Sequence, residues 1–255
     1  MSKKGITMKR SSTVIVVTLF LFTMLDAQDF STRELLLKMQ LQSPKKSIRS
    51  LTFRQRTVTH TIEGTTHEEY WLEYLQVPSK LRIEIEPADS GKGMIFAQDS
   101  VFSFDKGKLM RAAKLPHVLL LLGYDVYSEP VDHTLNKLKE LQFDIQKVYE
   151  TSWKGRQAYV VGAEKGDEKS NQFWIDKEML VLVRMIQPGR RQPNFTLETQ
   201  FNNYKTINGI PVETEVLFLR NGKVQTEEYY TDLKVNVPLK GELFNSGLWD
   251  SAHRK

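Results

Sequence analysis

From residue 48 onward the chain alternates. "LRIEIE" (81–86) sets Leu81, Ile83 and Ile85 on one side and Arg82, Glu84 and Glu86 on the other. "FTLETQF" (195–201) opposes Phe195, Leu197 and Phe201 to Thr196, Glu198 and Gln200, and "PVETEVLF" (211–218) opposes Val212, Val216 and Phe218 to Glu213 and Glu215. Successive strand side chains point to opposite faces, so a period of two over many segments commits the chain to antiparallel sheet with one covered and one wet face. Turn residues recur at short intervals: Pro87-Ala88-Asp89-Ser90-Gly91, Asp105-Lys106-Gly107, Trp153-Lys154-Gly155, Asn208-Gly209 and Asn221-Gly222. Asn-Gly beside an alternating run is a hairpin signature. The pattern predicts roughly ten to twelve strands. "LVLVRMI" (180–186) is apolar in both phases. It predicts a central strand covered on both sides, on one of them by an N-terminal helix.

Two regions leave the period of two. "DFSTRELLLKMQLQSP" (29–44) predicts a short helix capped by Ser31 or Thr32, with Glu34 in its first turn and a stop at Ser43-Pro44. Residues 114–142 predict two more helices, "KLPHVLLLLGYD" and "VDHTLNKLKELQ". In the second, Leu135, Leu138 and Leu141 recur at three-residue spacing with Lys and Glu between them. The run Leu119 to Leu122 is far shorter than the ~20 apolar residues a bilayer span needs.

The N-terminus carries a different instruction. Lys3, Lys4, Lys9 and Arg10 precede an uncharged apolar stretch, Val14 to Leu25, and "LDAQ" offers Ala27 before a cut. This is the layout of a secretory signal peptide over 1–27, cleaved after Ala27, and predicts an exported product. The alternative is an uncleaved anchor, for which the apolar stretch is short. The full chain carries +5. Most of that excess sits in the export signal, so the basic balance is poor support for nucleic-acid binding, and none is expected. No repeat, low-complexity tract or linker divides residues 28–255, which predicts one domain with 114–142 as its lid.

The sequence has no cysteine, which excludes disulfides, thiolate metal sites, cysteine catalysis and a lipidated N-terminal cysteine. Its five histidines (His60, His67, His117, His133 and His253) show no metal-ligand spacing. No nucleophile elbow, zinc-protease helix, dinucleotide fingerprint or phosphate loop is present. "SGKG" (90–93) reads as a turn. Glu68-Glu69 and Glu227-Glu228 are neighbours on strands, so each pair splits between opposite faces and forms no acid/base pair by itself. The expectation is no catalytic residue, no metal and no cofactor.

A sheet with one apolar face must hide it. At ~25 cal/mol per Å², leaving a dozen large side chains wet would cost on the order of 20 kcal/mol, more than a domain's net stability. The few predicted helices are the cover available, so the sheet is expected to curl beneath them. The leucine run is then either ordinary core packing or a lid over an apolar cavity.

Several stretches resemble, in order and spacing, the LolA family of periplasmic outer-membrane lipoprotein carriers. "LTFRQRT" (51–57), "YWLEYLQVPSKLRIEIE" (70–86) and "FAQDSVFSFDKGK" (96–108) match its F-x-Q strand, its aromatic strand running into x-Pro, and its following turn. "WKGRQAYVVGAEKGDEKSNQFWIDKEMLVLVRMI" (153–186) is similar to the family's hairpin ending in F-W-I-D. The stretch from "NYKTINGIPVETEVLFLRNGK" (203–223) to "TDLKVNVPLKGELF" (231–244) resembles the C-terminal extension of lipoprotein-sorting relatives.

The resemblance implies a mostly β, α+β fold: an open, incomplete antiparallel barrel closed by a helical lid, with an apolar cavity for the acyl chains of lipoproteins or other lipids. It implies an inner-membrane exporter and an outer-membrane acceptor as partners of a monomeric carrier. By position, Phe53 matches the Phe of F-x-Q, and Leu81, Ile83 and Ile85 match the bulky residues after the family's Pro, here Pro78. Phe102 and Phe104 match the aromatic positions of the next strand. Met94, Phe96, Phe173, Ile175, Phe195 and Leu197 complete the candidate lining, and Val118, Leu119, Leu120, Leu121 and Leu122 the lid. The sequence departs from the family at Val77, where the carriers have an Arg that helps hold the lid closed, so the latch must differ or be missing. A second reading keeps the same fold as a cell-envelope stress sensor or interaction module with a protein partner.

Overall fold

The computed structural model describes residues 30–189 and 195–250. The proposed signal segment and its cleavage site lie outside the described residues. Helix α1 (Thr32–Gln42) opens the described chain, and its start follows from a reciprocal cap. Ser31 Oγ accepts the Glu34 N–H at 3.2 Å while the Ser31 N–H donates to Glu34 Oε2 at 2.7 Å, satisfying two otherwise orphaned donors. Leu35, Leu36 and Met39 share one face and are fully buried.

Six strands then form a meander: β1 (Ser50–His60), β2 (Thr66–Gln76), β3 (Lys80–Ile85), β4 (Gly93–Ala97), β5 (Ser100–Asp105) and β6 (Lys108–Lys114). After a helical excursion, α2 (Val118–Gly123) and α3 (Val131–Glu140), a second meander follows. It comprises β7 (Val148–Trp153), β8 (Arg156–Val161), β9 (Gln172–Asp176), β10 (Leu182–Pro188) and β11 (Thr196–Asn202). A small hairpin of β12 (Lys205–Ile207) and β13 (Ile210–Val212) precedes β14 (Glu215–Arg220) and the long β15 (Lys223–Val235). All pairings are antiparallel, and thirteen strands join one sheet in the order β6-β5-β4-β3-β2-β1-β15-β14-β11-β10-β9-β8-β7. The sheet does not close: β6 and β7 remain its two edges. Asn208-Gly209 and Asn221-Gly222 both turn with positive φ at each residue, the two-residue geometry that matches strand twist.

The topology explains why helices interrupt the strands. Residues 115–147 join the two edge strands, so this connection must cross from one rim of the sheet to the other. Thirteen flat strands would span nearly 60 Å at ~4.8 Å per step, whereas α2 and α3 are short. The sheet curls instead. Leu120 and Tyr124 pack with residues of β1, β2 and β3, while Leu121 and Leu122 pack with residues of β8 to β11.

Three expectations need correction. The described residues hold fifteen strands rather than ten to twelve, because short hairpins such as β12–β13 fall below what alternation can resolve. "PVETEVLF" is not one strand: β13 belongs to the two-stranded sheet and β14 to the large one, and the break turns Glu213 inward to near-complete burial. The wet face expected of "LRIEIE" is covered. Arg82, only 1% exposed, pairs with Glu84, donates to the Leu243 and Trp249 carbonyls at 3.1 and 2.9 Å, and lies 3.9 Å over the Trp249 ring. The C-terminal segment folds back over that face.

The double-sided burial expected for "LVLVRMI" is present. Leu180, Leu182 and Met185 join the core beneath α1, while Val181 and Val183 pack on the opposite face with Trp174 and Val160.

Candidate functional site

The helix-bearing face of the sheet is solid on one half and hollow on the other. Around β1 to β4, β15 and α2 lies a cavity of about 230 Å³, large against the ~10–15 Å³ that one buried water requires by the same measure. Register builds its wall. On β1 the inward residues include Leu51, Phe53 and Gln55, which stand opposite Leu75, Glu73 and Trp71 of β2. On β3, Leu81 and Ile83 stand opposite Leu75 and Glu73, and Phe96 and Met94 of β4 continue the row. Phe53 packs against Tyr230 of β15 with ring centroids 4.4 Å apart.

Helix α2 supplies the cover. His117 caps it, accepting the Leu120 N–H at Nδ1 over 3.2 Å, and meets Phe96 edge-on at 4.6 Å. Burial pulls His117 down to about 4, so the ring is neutral at neutral pH and keeps its acceptor. Leu119 and Leu120 line the cavity from above. Just beyond α2, Asp125 accepts the Ser79 N–H at 2.9 Å and its hydroxyl at 2.5 Å. That tie joins the helical crossing to the turn after Val77 and Pro78. Burial pushes the Asp125 carboxyl up, and the two Ser79 bonds oppose the shift.

Of the candidate lining, Phe53, Leu81, Ile83, Met94 and Phe96 stand on the cavity wall. Ile85 shares their phase opposite Trp71 but lies at the end of β3, outside the lining. Phe102 and Phe104 belong to the other face. Val101 takes the inward phase of β5 opposite Phe96, and Phe104 stacks on Trp249 at 4.3 Å. Phe173 and Ile175 are inward but fully buried in the solid half, where α1 and α3 fill the space. Phe195 sits beneath the Arg220 guanidinium at 4.1 Å, and Leu197, 44% exposed, lies four residues beyond Phe201 where no helix reaches. Of the proposed lid, Val118, Leu121 and Leu122 pack on the solid half rather than over the hollow.

The cavity wall is also more polar than the sequence reading assigned. Glu73, Glu213 and Glu228 all reach it, with Gln55, Tyr124 and Tyr230. Glu213 accepts from Lys45 Nζ at 2.7 Å and from the Tyr124 hydroxyl at 2.6 Å, a buried network below α2. Glu228 accepts the Tyr230 hydroxyl at 2.8 Å. Burial, partly offset by bonds from Tyr230 and Gln55, pushes it up to about 7. Burial, reinforced by the charge of Glu228, pushes Glu73 well above the usual carboxylate range. A signal for Glu73 existed in the sequence: it shares the phase of Trp71 and Leu75, both on a covered face. Glu228 had none, since Thr226, Glu228 and Tyr230 mark no apolar phase. Among the described residues no group of three or more His, Cys, Asp or Glu side chains is placed to hold a metal ion.

No protein-family model matches the sequence, and no curated protein matches it. Solved structures do. A LolA superfamily protein from Nitrosomonas europaea superposes with a TM-score of 0.55, covering 84% of this chain and 97% of its own at 15% identity. A domain from Vibrio parahaemolyticus, described as outer membrane lipoprotein-sorting, gives 0.54 over 85% and 97% at 15% identity. A DUF1329 family protein from Desulfovibrio piger gives 0.56 over 85% and 97%, also at 15%. At 15% identity these likenesses concern the fold: over most of its length the chain folds as the LolA superfamily protein, the lipoprotein-sorting domain and the DUF1329 protein do.

Proposed function

We propose that the protein is a periplasmic carrier that holds the apolar chain of a lipoprotein or another lipid in the cavity beneath α2, on its way toward the outer membrane. The observation that carries this reading is the hollow itself: a space of about 230 Å³ walled by Phe53, Leu81, Ile83, Met94 and Phe96 and roofed by Leu119 and Leu120. Each CH₂ group moved there from water contributes about 0.8 kcal/mol, so a chain of ordinary length binds without covalent chemistry. The likeness to a lipoprotein-sorting domain supports the same reading at the level of fold. Loading and unloading would involve an inner-membrane exporter and an outer-membrane acceptor, with the protein itself a monomer of one domain.

The test is uptake of a neutral fluorescent acyl ester by the purified protein. Wild type takes up the probe. Ile83→Glu sets a second acid among Glu73, Leu81 and Met94 and abolishes uptake, while Leu109→Glu, on the exposed outer strand β6, does not. Circular dichroism establishes that both variants fold. Uptake by Ile83→Glu equal to wild type overturns the reading.

A further inference from the structure

The charges on the cavity wall are one-sided. Among the described residues its ionisable side chains are three glutamates, two tyrosines and His117, with no lysine or arginine in the lining. Glu213 is answered by Lys45, which lies just behind the wall, and by Tyr124. Glu228 receives only the neutral groups of Tyr230 and Gln55. Glu73 receives none. It is 6% exposed, its cross-strand neighbours are Phe53 and Ile83, and among the described residues no hydrogen bond or ion pair reaches its carboxyl. A buried polar group without a partner is costly, and an apolar chain lying beside it would leave it so.

Three kinds of chain end are distinguished by this wall. An anionic end, carboxylate or phosphate, would be buried against acids with no cation to meet it, an arrangement that rejects the ligand. A neutral hydroxyl end gives Glu73 at most an ordinary hydrogen bond. A cationic end gives it a charge-assisted one, about twice as strong, and lies among the aromatic side chains of Phe53, Trp71 and Tyr230, a kind of neighbour that favours positive charge. His117 does not compete for the acids, since it is neutral and turned to the α2 backbone.

We propose that the cavity selects an amphiphile whose apolar chain ends in an amine or ammonium group, with Glu73 and Glu228 as its counter-charges. This rests on the chain-carrier reading above and names the class of lipid that such a carrier takes. Burial raises Glu73 well above the usual carboxylate range in the empty cavity, while Glu228 is poised to ionise near pH 7; a cation entering beside them favours the charged form of both.

The experiment displaces the neutral dye Nile red from the purified protein at pH 7 with dodecylamine, dodecanol and dodecanoic acid. The expected order is amine first, alcohol second and acid last, with the amine about tenfold tighter than the alcohol. In Glu73→Gln, and separately in Glu228→Gln, the ratio of amine to alcohol affinity falls to about two or less. Equal affinities for amine and alcohol, a preference for the acid, or an undiminished ratio in both variants overturns the proposal and leaves the chain-carrier reading standing. If neither the dye nor any of the three amphiphiles binds, both fall. The ranking in the wild-type protein decides the matter even if one variant fails to fold.

Discussion

The two halves of the helix-bearing face start from the same alternation and end differently. On β8 to β10, Tyr159, Val161, Phe173, Ile175, Leu182 and Met185 meet α1 and α3, whose Leu35, Leu36, Met39 and Leu138 fill the space above them. Phe143 closes the gap with its ring 5.6 Å from that of Phe173. On β1 to β4 the inward residues are as large, but the only helix over them among the described residues is α2, six residues long, joined by Ile48 and by Ile210 and Val212 of the β12–β13 hairpin. What decides whether a face is core or container is therefore the amount of helix laid over it.

The sharpest way to break that comparison is to truncate one residue in each half. Phe173→Ala opens a void where neighbours are locked on every side and should cost about 3–5 kcal/mol. Ile83→Ala borders a space that already exists, so it loses transfer energy with little new cavity and should cost about half as much. Urea unfolding of both variants checks this. Equal losses would mean that the β1–β4 half is packed in solution.

Where the halves meet, Lys45 pairs with Glu213 and lies 4.4 Å from the Tyr124 ring centroid. Both charges are nearly inaccessible. Lys45→Met strands Glu213 with one hydroxyl for company and should cost about 3–5 kcal/mol. Lys45→Met combined with Glu213→Leu should recover much of it, which a double-mutant cycle in urea would show. An unrecovered loss would place the cost in packing rather than in an orphaned charge.

Parity made the solid half legible and misread parts of the hollow one. Leu35, Leu36 and Met39, the cap at Ser31 and the double-sided "LVLVRMI" all follow from local pattern. Phe102 and Phe104 did not, because aromatic residues on β5 occupy the outward phase, where Trp249 covers them from about 150 residues downstream in the sequence. Nothing local announces a cover that comes from the chain's far end. Glu73 and Glu228 failed for another reason: a charged residue in an alternating strand is read as the wet phase. Glu73 stood against that reading by sharing the phase of Trp71 and Leu75, whereas only the pairing of β1 with β15 reveals that Glu228 faces inward. The fold was set by periodicity, whereas the polar part of the site arises from tertiary pairing.

The acids also separate the halves by pH. On the outer face behind the solid half, in phase with Trp174, the buried carboxylate Asp176 is paired with Arg156 at 2.7 Å. On the hollow half Glu228 accepts only from the neutral Tyr230 and Gln55, and its folded value of about 7 exceeds its ordinary 4.5. The folded state therefore binds a proton more tightly than the unfolded chain. Its contribution is fully present below about pH 4.5 and lost as pH rises through 7, a fall of about 3 kcal/mol at most. Glu73, raised further by burial, carries the same trend to higher pH. Glu228→Gln should flatten the decline between pH 5 and 8 when stability is measured by urea titration at several pH values. An unchanged slope would show that water already reaches Glu228.

The smallest effect tests how the hollow half is held shut. Ser79 gives Asp125 two hydrogen bonds, one from its hydroxyl and one from its N–H, and thereby fixes the end of the α2 segment to the β2–β3 turn. Ser79→Ala removes the hydroxyl bond and leaves a buried carboxyl with one donor, at a cost of about 1–2 kcal/mol. Because α3 and α1 are anchored independently on the solid half, the loss should appear as local opening rather than global unfolding. Amide hydrogen exchange would then accelerate at Leu120, Leu121 and Tyr124, roughly tenfold for each 1.4 kcal/mol, and stay unchanged at Leu36 and Met39. Uniform acceleration across both helices would mean that the two halves open together, and that the cavity has no latch of its own.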